Sequence, residues 1–481
     1  MNAKTVPARV LPFALIGLLA LTGPPPGRSQ STTYYVATYG SDTTGDGSLM
    51  KPWATIEHAL GAIPDGSTIL VRPGTYNGRV RLQRVCTLGC TIRAEVPYQA
   101  ALRNNDQVVT SFGNTSPAAG ITFDGFDIAH VPGTRNPIVF HIDGGGNKAV
   151  HDIVIQNNVI HDSFDNDLLK INNSAVNITV QGNMFYNQTG SDEHMDINSE
   201  EFVTVQDNVF FNDFEGSGRV NDSSTSSFIV IKDSNGSRDA YLGSRNITVR
   251  RNVFLHWEGT TGHNFVLCGE DGTRNFEAFS VLIENNLMLG NSPFTMRAPF
   301  GVKGCKDVTF RNNTVSGDLP AVSYAFRLND EKQNPPNQNI LMYNNVWADP
   351  TGTMNDFDDT PFGQTASYVL SNNLYWNGGA AIPTDATDMI NYTDDPARRV
   401  ADPLLTNPAP AGTPRWNPAT GTFADGSTTI RQVFLRLADT YGKAAAGSPL
   451  IDNADAAHAP ADDIRGSARS ARPDIGCYEI Q

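Results

Sequence analysis

The chain has 481 residues, with 35 Lys and Arg against 50 Asp and Glu, a formal net charge of −15. That balance argues against nucleic acid as a partner, and it admits an anionic polymer only where a bound cation offsets the local charge. Length alone suggests roughly three domains, and the spacings of the five cysteines do not resemble a zinc site.

Residues 1–30 carry Lys4 and Arg9, then an apolar run over 11–21, then Gly-Pro-Pro-Pro-Gly. This is the pattern of a cleavable secretory signal, too short to anchor in a bilayer. The mature chain is therefore expected to be secreted or periplasmic, with no membrane span. Tyr34 to Ala37 reads as a strand and 40–47 (GSDTTGDG) as a loop. Residues 53–60 (WATIEHAL) read as a short amphipathic helix, placed to plug the open end of a solenoid. Cys86 and Cys90 are close enough to bridge in an oxidising compartment. Cys268 and Cys305 could meet on nearby coils, which leaves Cys477 over.

From about residue 68 to about 376 the chain repeats itself. Asn followed by two mostly apolar residues recurs at Asn158, Asn183, Asn208, Asn252, Asn286, Asn313, Asn345 and Asn373, in steps of 25, 25, 44, 34, 27, 32 and 28. A period in this range marks a solenoid, whose coils bury their apolar faces only by stacking. The repeat overrides the domain count taken from length. β-Branched residues alternate ahead of the asparagines, as in 178–184 (ITVQGNM) and 203–209 (VTVQDNV), so each coil consists of short strands with one face inward. The asparagine sits where the coil turns, and its amide can bond to the same amide one coil on. The reading is an all-β, right-handed parallel β-helix over 31–376, including its N-terminal capping helix, followed by an irregular C-terminal capping segment over 377–481. Extra residues at 212–227, 233–244 and 331–338 leave the coils as loops able to wall a groove.

Three coils stand out when aligned: 165–172 (DNDLLKIN), 191–198 (SDEHMDIN) and 227–234 (SFIVIKDS). Ile171, Ile197 and Ile231 fall in one inward column. Strand alternation then turns Lys170, Asn172, Asp196, Asn198, Val230 and Lys232 outward. With coils about 4.8 Å apart, Asp167, Asp192, Glu193, Asp196 and Lys232 converge on one patch. Carboxylates so close repel unless some are protonated or a cation neutralises them. Oxygen ligands without cysteine favour Ca²⁺ over zinc.

The run Asp167-x-x-Lys170, then Asp192-Glu193-x-x-Asp196, then Lys232 resembles the calcium site and catalytic lysine of family 9 polysaccharide lyases, a pectate lyase family. The resemblance implies Ca²⁺ on Asp167, Asp192, Glu193 and Asp196; Glu193 departs from the family's aspartate and changes the reach. The segments YYVATYGSD, KPWATIEHAL and ILVRPGTY, with the tail over 447–478, resemble the ends of secreted bacterial β-helix proteins.

The chemistry can also be argued from the residues. Cleaving a uronate polymer by β-elimination means removing the C5 proton, and a cation on the adjacent carboxylate stabilises the anion that develops. A base must reach C5, and Lys232 is the first candidate and Lys170 the second. Arg297 and Arg327 are expected to grip substrate carboxylates, with His141, Asp143 and His194 contacting sugar. The expectation is a monomeric, Ca²⁺-dependent lyase acting on an acidic, pectate-like polysaccharide. One rival is a glycoside hydrolase drawing its two carboxyl groups from Asp192, Glu193 and Asp196. The other is a non-catalytic solenoid that binds polysaccharide. Asp356, Asp358 and Asp359 read as a solvated loop, and Trp257 and Trp347 as packing.

Overall fold

The structure, a computed structural model, describes residues 32–132, 138–190, 192–233, 242–406 and 411–480. Residues 1–31, where the secretory signal is expected, and most of the 233–244 loop lie outside them. The described chain winds as a right-handed parallel β-helix with three sheets of 12, 10 and 12 strands. One coil shows the plan. Val176–Gln181 lies in the first sheet, and the turn at Asn183 leads to Met184–Tyr186 in the third. A loop then crosses to Met195–Asn198 in the second sheet, and a tight turn returns to Glu201–Gln206 in the first.

The asparagine ladder forms as the repeat predicts. Each side-chain amide from Asn158 to Asn345 donates to the Oδ1 of the next asparagine, at 2.9–3.1 Å. That same Oδ1 also accepts the preceding coil's backbone N–H, as Asn183 Oδ1 does from Asn158. Asp395 ends the ladder by accepting from Asn373 at 2.9 Å. Every ladder asparagine follows a residue in the left-handed region: Asn157, Gly182, Asp207, Arg251, Asn285, Asn312, Asn344 and Asn372. Asparagine tolerates that conformation better than other residues with a side chain, which is why the turns so often read Asn-Asn.

The pair of apolar residues after each asparagine divides between two cores. The second of each pair, such as Ile160, Phe185, Phe210 and Phe254, points into the coil, where Phe185, Phe210 and Phe254 stack at 4.9–5.0 Å. The first, such as Val159, Met184, Val209, Val253 and Leu287, points outward and is covered by Trp416, Phe423, Ile430, Val433, Phe434 and Leu437. A sheet covered on both faces loses its polar alternation. The C-terminal segment therefore has two parts. Ile382 and Ile390 close the end of the main core, and 411–480 returns along the outside of the third sheet. Arg250 and Arg251 hold this return strand through Asp462.

At the other end the helix is Ile56–Ala62, starting three residues later than the amphipathic pattern suggests. Thr55 sets the start, its hydroxyl accepting from the His58 N–H, while Asp42 accepts from the Ala54 and Thr55 N–H groups. Ile56, Ala59 and Leu60 pack into the end of the core. Cys86 and Cys90 form a disulfide. Among the described residues, no helix is long and apolar enough to cross a membrane.

Candidate active site on the second sheet

The acidic coils lie on the outer side of the second sheet, where loops bury much of the surface, Val230 and Leu267 included. Its register sets one column of His141, Lys170, Asp196, Val230, Leu267, Gly301, Arg327 and Asp359. A neighbouring column holds Asp143, Asn172, Asn198 and Lys232. Ile171, Ile197 and Ile231 lie between the two columns, buried inside.

Asp167, Glu193 and Asp196 come together, each offering a carboxylate oxygen within 4.8 Å of the others. Counting two residues back from the Leu169–Met195 pair puts Glu193, and not Asp192, opposite Asp167. The Glu193 N–H donates to Asp167 Oδ1 at 3.0 Å, which fixes this geometry. Asp192 stands outside the group of three. Its carboxyl is pushed up to about 7, by burial first and then by the charge of Asp167.

Two lysines face the cluster. Lys170 donates to Asp196, and to Asp167 at 3.4 Å. Lys232 reaches Glu270 at 2.7 Å and lies 3.8 Å from Asp196. Burial alone would push the Asp196 carboxyl up, but Lys170 and Lys232 together hold it down. Burial raises the Asp167 and Glu193 carboxyls, Glu193 the more strongly. Burial would also lower both lysines, but their carboxylate neighbours outweigh it and hold both amines charged.

The donor set suits a hard cation. Glu193 Oε2 and Asp196 Oδ1 are buried without a hydrogen-bond partner, and orphaned anionic oxygens are costly unless a positive charge meets them. Asp167, Glu193 and Asp196 are the residues that could hold a metal ion here.

The remaining expected site residues divide. His141 is held between Gln107 at 3.1 Å and Asn172 at 2.9 Å, edge-on to Phe112. Both oxygens of Asp143 are engaged, one by the Gly145 N–H and one by Asn173. His194 is a correction. It lies buried in the core against Phe228, its Nε2 on the Phe211 carbonyl at 3.0 Å, so it cannot contact sugar. Burial pushes its imidazole down to about 3. Arg297 is not on the strand column, where Gly301 stands opposite Arg327. It precedes the strand Ala298–Lys303, yet both guanidiniums converge on Asp359 Oδ2, at 2.6 and 3.1 Å. The second acidic group is not a solvated loop: Asp358 is buried and accepts from the Thr360 hydroxyl at 2.8 Å. Trp257 and Trp347 are buried packing residues.

Glu270 is a site residue that the repeat pattern does not mark. It comes after the strand Asn264–Cys268, whose Cys268 pairs with Ile231. That pairing puts Gly269 opposite Lys232, and the turn that follows brings Glu270 to the amine.

No family model and no curated protein matches the chain. Among solved structures, pectate lyase Pel9A superposes with a TM-score of 0.54 at 15% identity, over 95% of this chain and 98% of its own. A rhamnogalacturonan lyase gives 0.45 at 12%, over 78% and 91%, and a GH87 alpha-1,3-glucanase gives 0.46 at 13%, over 79% and 70%. At 15% identity the likeness to Pel9A is one of fold.

Proposed function

We propose that the chain is a Ca²⁺-dependent polysaccharide lyase that cleaves a uronate-containing polymer by β-elimination. The observation that carries the reading is the buried group Asp167, Glu193 and Asp196, with two orphaned oxygens, beside Lys232. The fold shared with pectate lyase Pel9A is consistent with it. Bound Ca²⁺ would offset the carboxylate charge around the Lys232 amine and act as a Lewis acid toward the substrate carboxylate.

The chain's own residues supply the rest. Lys232 is the base that takes the C5 proton, and it must be neutral to do so. Its partner Glu270 fixes the amine's position at 2.7 Å. Lys170, bound to Asp167 and Asp196, serves as a counter-ion to the cluster. His141 and Asn172 form a hydrogen-bonding rim one coil away. The carboxylate oxygens lie within 4.8 Å of one another, tighter than the about 6.5–9.5 Å of an inverting hydrolase and nearer the about 5–5.5 Å of a retaining one.

The test is absorbance of unsaturated product in the near ultraviolet, on pectate, alginate and glucuronan, with Ca²⁺ or with chelator. Absorbance that needs both Ca²⁺ and Lys232 is expected, with Lys232→Ala at least about 100-fold slower. New reducing ends without absorbance would replace the lyase with a hydrolase, and binding without turnover would leave a polysaccharide-binding solenoid.

A further inference from the structure

Beyond the reaction centre, the arrangement at Lys232 recurs two coils on. Ile231, Cys268 and Val302 share one inward column, so Lys232 and Lys303, each one residue further, share an outward one. Both lysines end their strands and are equally covered, at 10% side-chain exposure. Each meets a glutamate from the turn of the following coil at 2.7 Å, Lys232 with Glu270 and Lys303 with Glu331.

The two turns are tied to each other. The buried Glu277 carboxylate accepts the backbone N–H groups of Glu270, Asp271 and Gly272, at 2.7, 3.0 and 2.5 Å. It also accepts the Asn334 amide at 2.8 Å, and Asn334 Oδ1 in turn accepts the Glu331 N–H at 3.2 Å. One carboxylate thus fixes both Lys–Glu pairs. Arg327 lies one coil beyond Lys303, two residues back along the strand, and shares the single carboxylate of Asp359 with Arg297, which precedes the Lys303 strand. Two guanidiniums in contact with one carboxylate leave room for a second anion.

We propose that these groups form a track of uronate subsites running from Lys232 along the coils, with one subsite at Lys303 and a terminal one at the Arg297–Arg327 pair. The proposal rests on the lyase reading of the same sheet and extends it to the length and charge of the substrate. Coils step about 4.8 Å, close to the length of one hexuronate unit. Three coil steps separate Lys232 from Arg327, so the track has room for about four units, with free carboxylates required at Lys303 and at the arginine pair and not on the intervening coil, where Gly269 stands. It ends at Asp356, Asp385 and Asp388, whose clustered carboxyl oxygens would repel a further acidic unit.

The experiment compares kcat/KM for the trimer and the hexamer of galacturonate, mannuronate and glucuronate. It uses wild type, Arg327→Gln, Arg327→Lys and Lys303→Gln, and measures binding of the same oligomers to Lys232→Ala by calorimetry. The hexamer-to-trimer ratio is expected to fall about 10- to 100-fold in Arg327→Gln, the worth of a charge-assisted pair. Arg327→Lys should recover part of it, and Lys303→Gln should show a smaller fall. An unchanged ratio with cleavage intact overturns the track and leaves the lyase. Hexamer binding that depends on Arg327 without any cleavage by wild type keeps the track and overturns the lyase. Neither binding nor cleavage of any oligomer overturns both.

Discussion

Lys170→Met separates a counter-ion from a base. The substitution keeps a similar apolar stem and removes one positive charge. In the native protein that charge meets Asp167 and Asp196, both at 0% exposure. Breaking a buried pair by removing one partner costs about 3–5 kcal/mol, because the remaining charge is left uncompensated. Lys232→Met leaves Asp196 its contact with Lys170, and Glu270 keeps some access to water, so its stability cost should be the smaller of the two. The assay is urea unfolding of wild type and both variants, with chelator and with Ca²⁺. With chelator, Lys170→Met should be the least stable of the three. Ca²⁺ should stabilise it more than wild type, since the ion no longer competes with the Lys170 ammonium for the same oxygens, and saturation at 100 times Kd contributes about 2.7 kcal/mol. If Lys170→Met matches wild type in chelator, or if Ca²⁺ stabilises none of the proteins, the assignment of Asp167, Glu193 and Asp196 as a cation site is refuted.

Other outcomes depend on features outside the cluster. Burial, with Asp388, Asp356 and Asp359 nearby, pushes the Asp358 carboxyl up to about 8. The native state therefore binds a proton that the unfolded chain releases near pH 4. This group's contribution to stability falls as pH rises from about 4 to about 8, and Asp358→Asn should flatten that part of the stability profile. Asn208→Ala removes a buried amide bonded to the Val180 carbonyl and to Asn252, and also removes the acceptor of the Asn183 amide. The expected loss is about 2–4 kcal/mol in urea unfolding. The Cys268 and Cys305 sulfurs lie 2.8 Å apart in the core. Peptide mapping of protein from an oxidising compartment should find them bridged, with Cys477 alone alkylated after unfolding.

What the sequence reveals, it reveals through periodicity. The ladder asparagines, the inward isoleucines and the outward Lys170, Asp196 and Lys232 all come from strands of period two stacked in register, so alignment of three segments is enough to bring them together. What it hides depends on offsets of one residue or on distant packing. Asp192 and Glu193 are neighbours in the chain, and only the Leu169–Met195 pairing decides which of them meets Asp167. His194 precedes the strand proper and turns into the core, where alternation counted from the acids gives no guidance. Glu270 reaches Lys232 from a later turn whose shape is set by Glu277. The second apolar layer outside the third sheet cannot be matched to its cover from sequence, because residues 411–480 have no repeat in step with the coils.

That cover constrains how such a protein can change size. A bare solenoid can gain or lose a coil with little effect elsewhere, since each unit touches only its neighbours. In this chain the return segment lies across coils from Val159 to Leu287 and is pinned at Asp462 by Arg250 and Arg251. Its Gly476 N–H also reaches the Asn344 carbonyl at 2.9 Å. Insertion or deletion of one coil between these anchors would shift one attachment by about 4.8 Å relative to the other. The tail works as a ruler, so the coil number under it is held fixed while the loops facing the second sheet are free to vary in length.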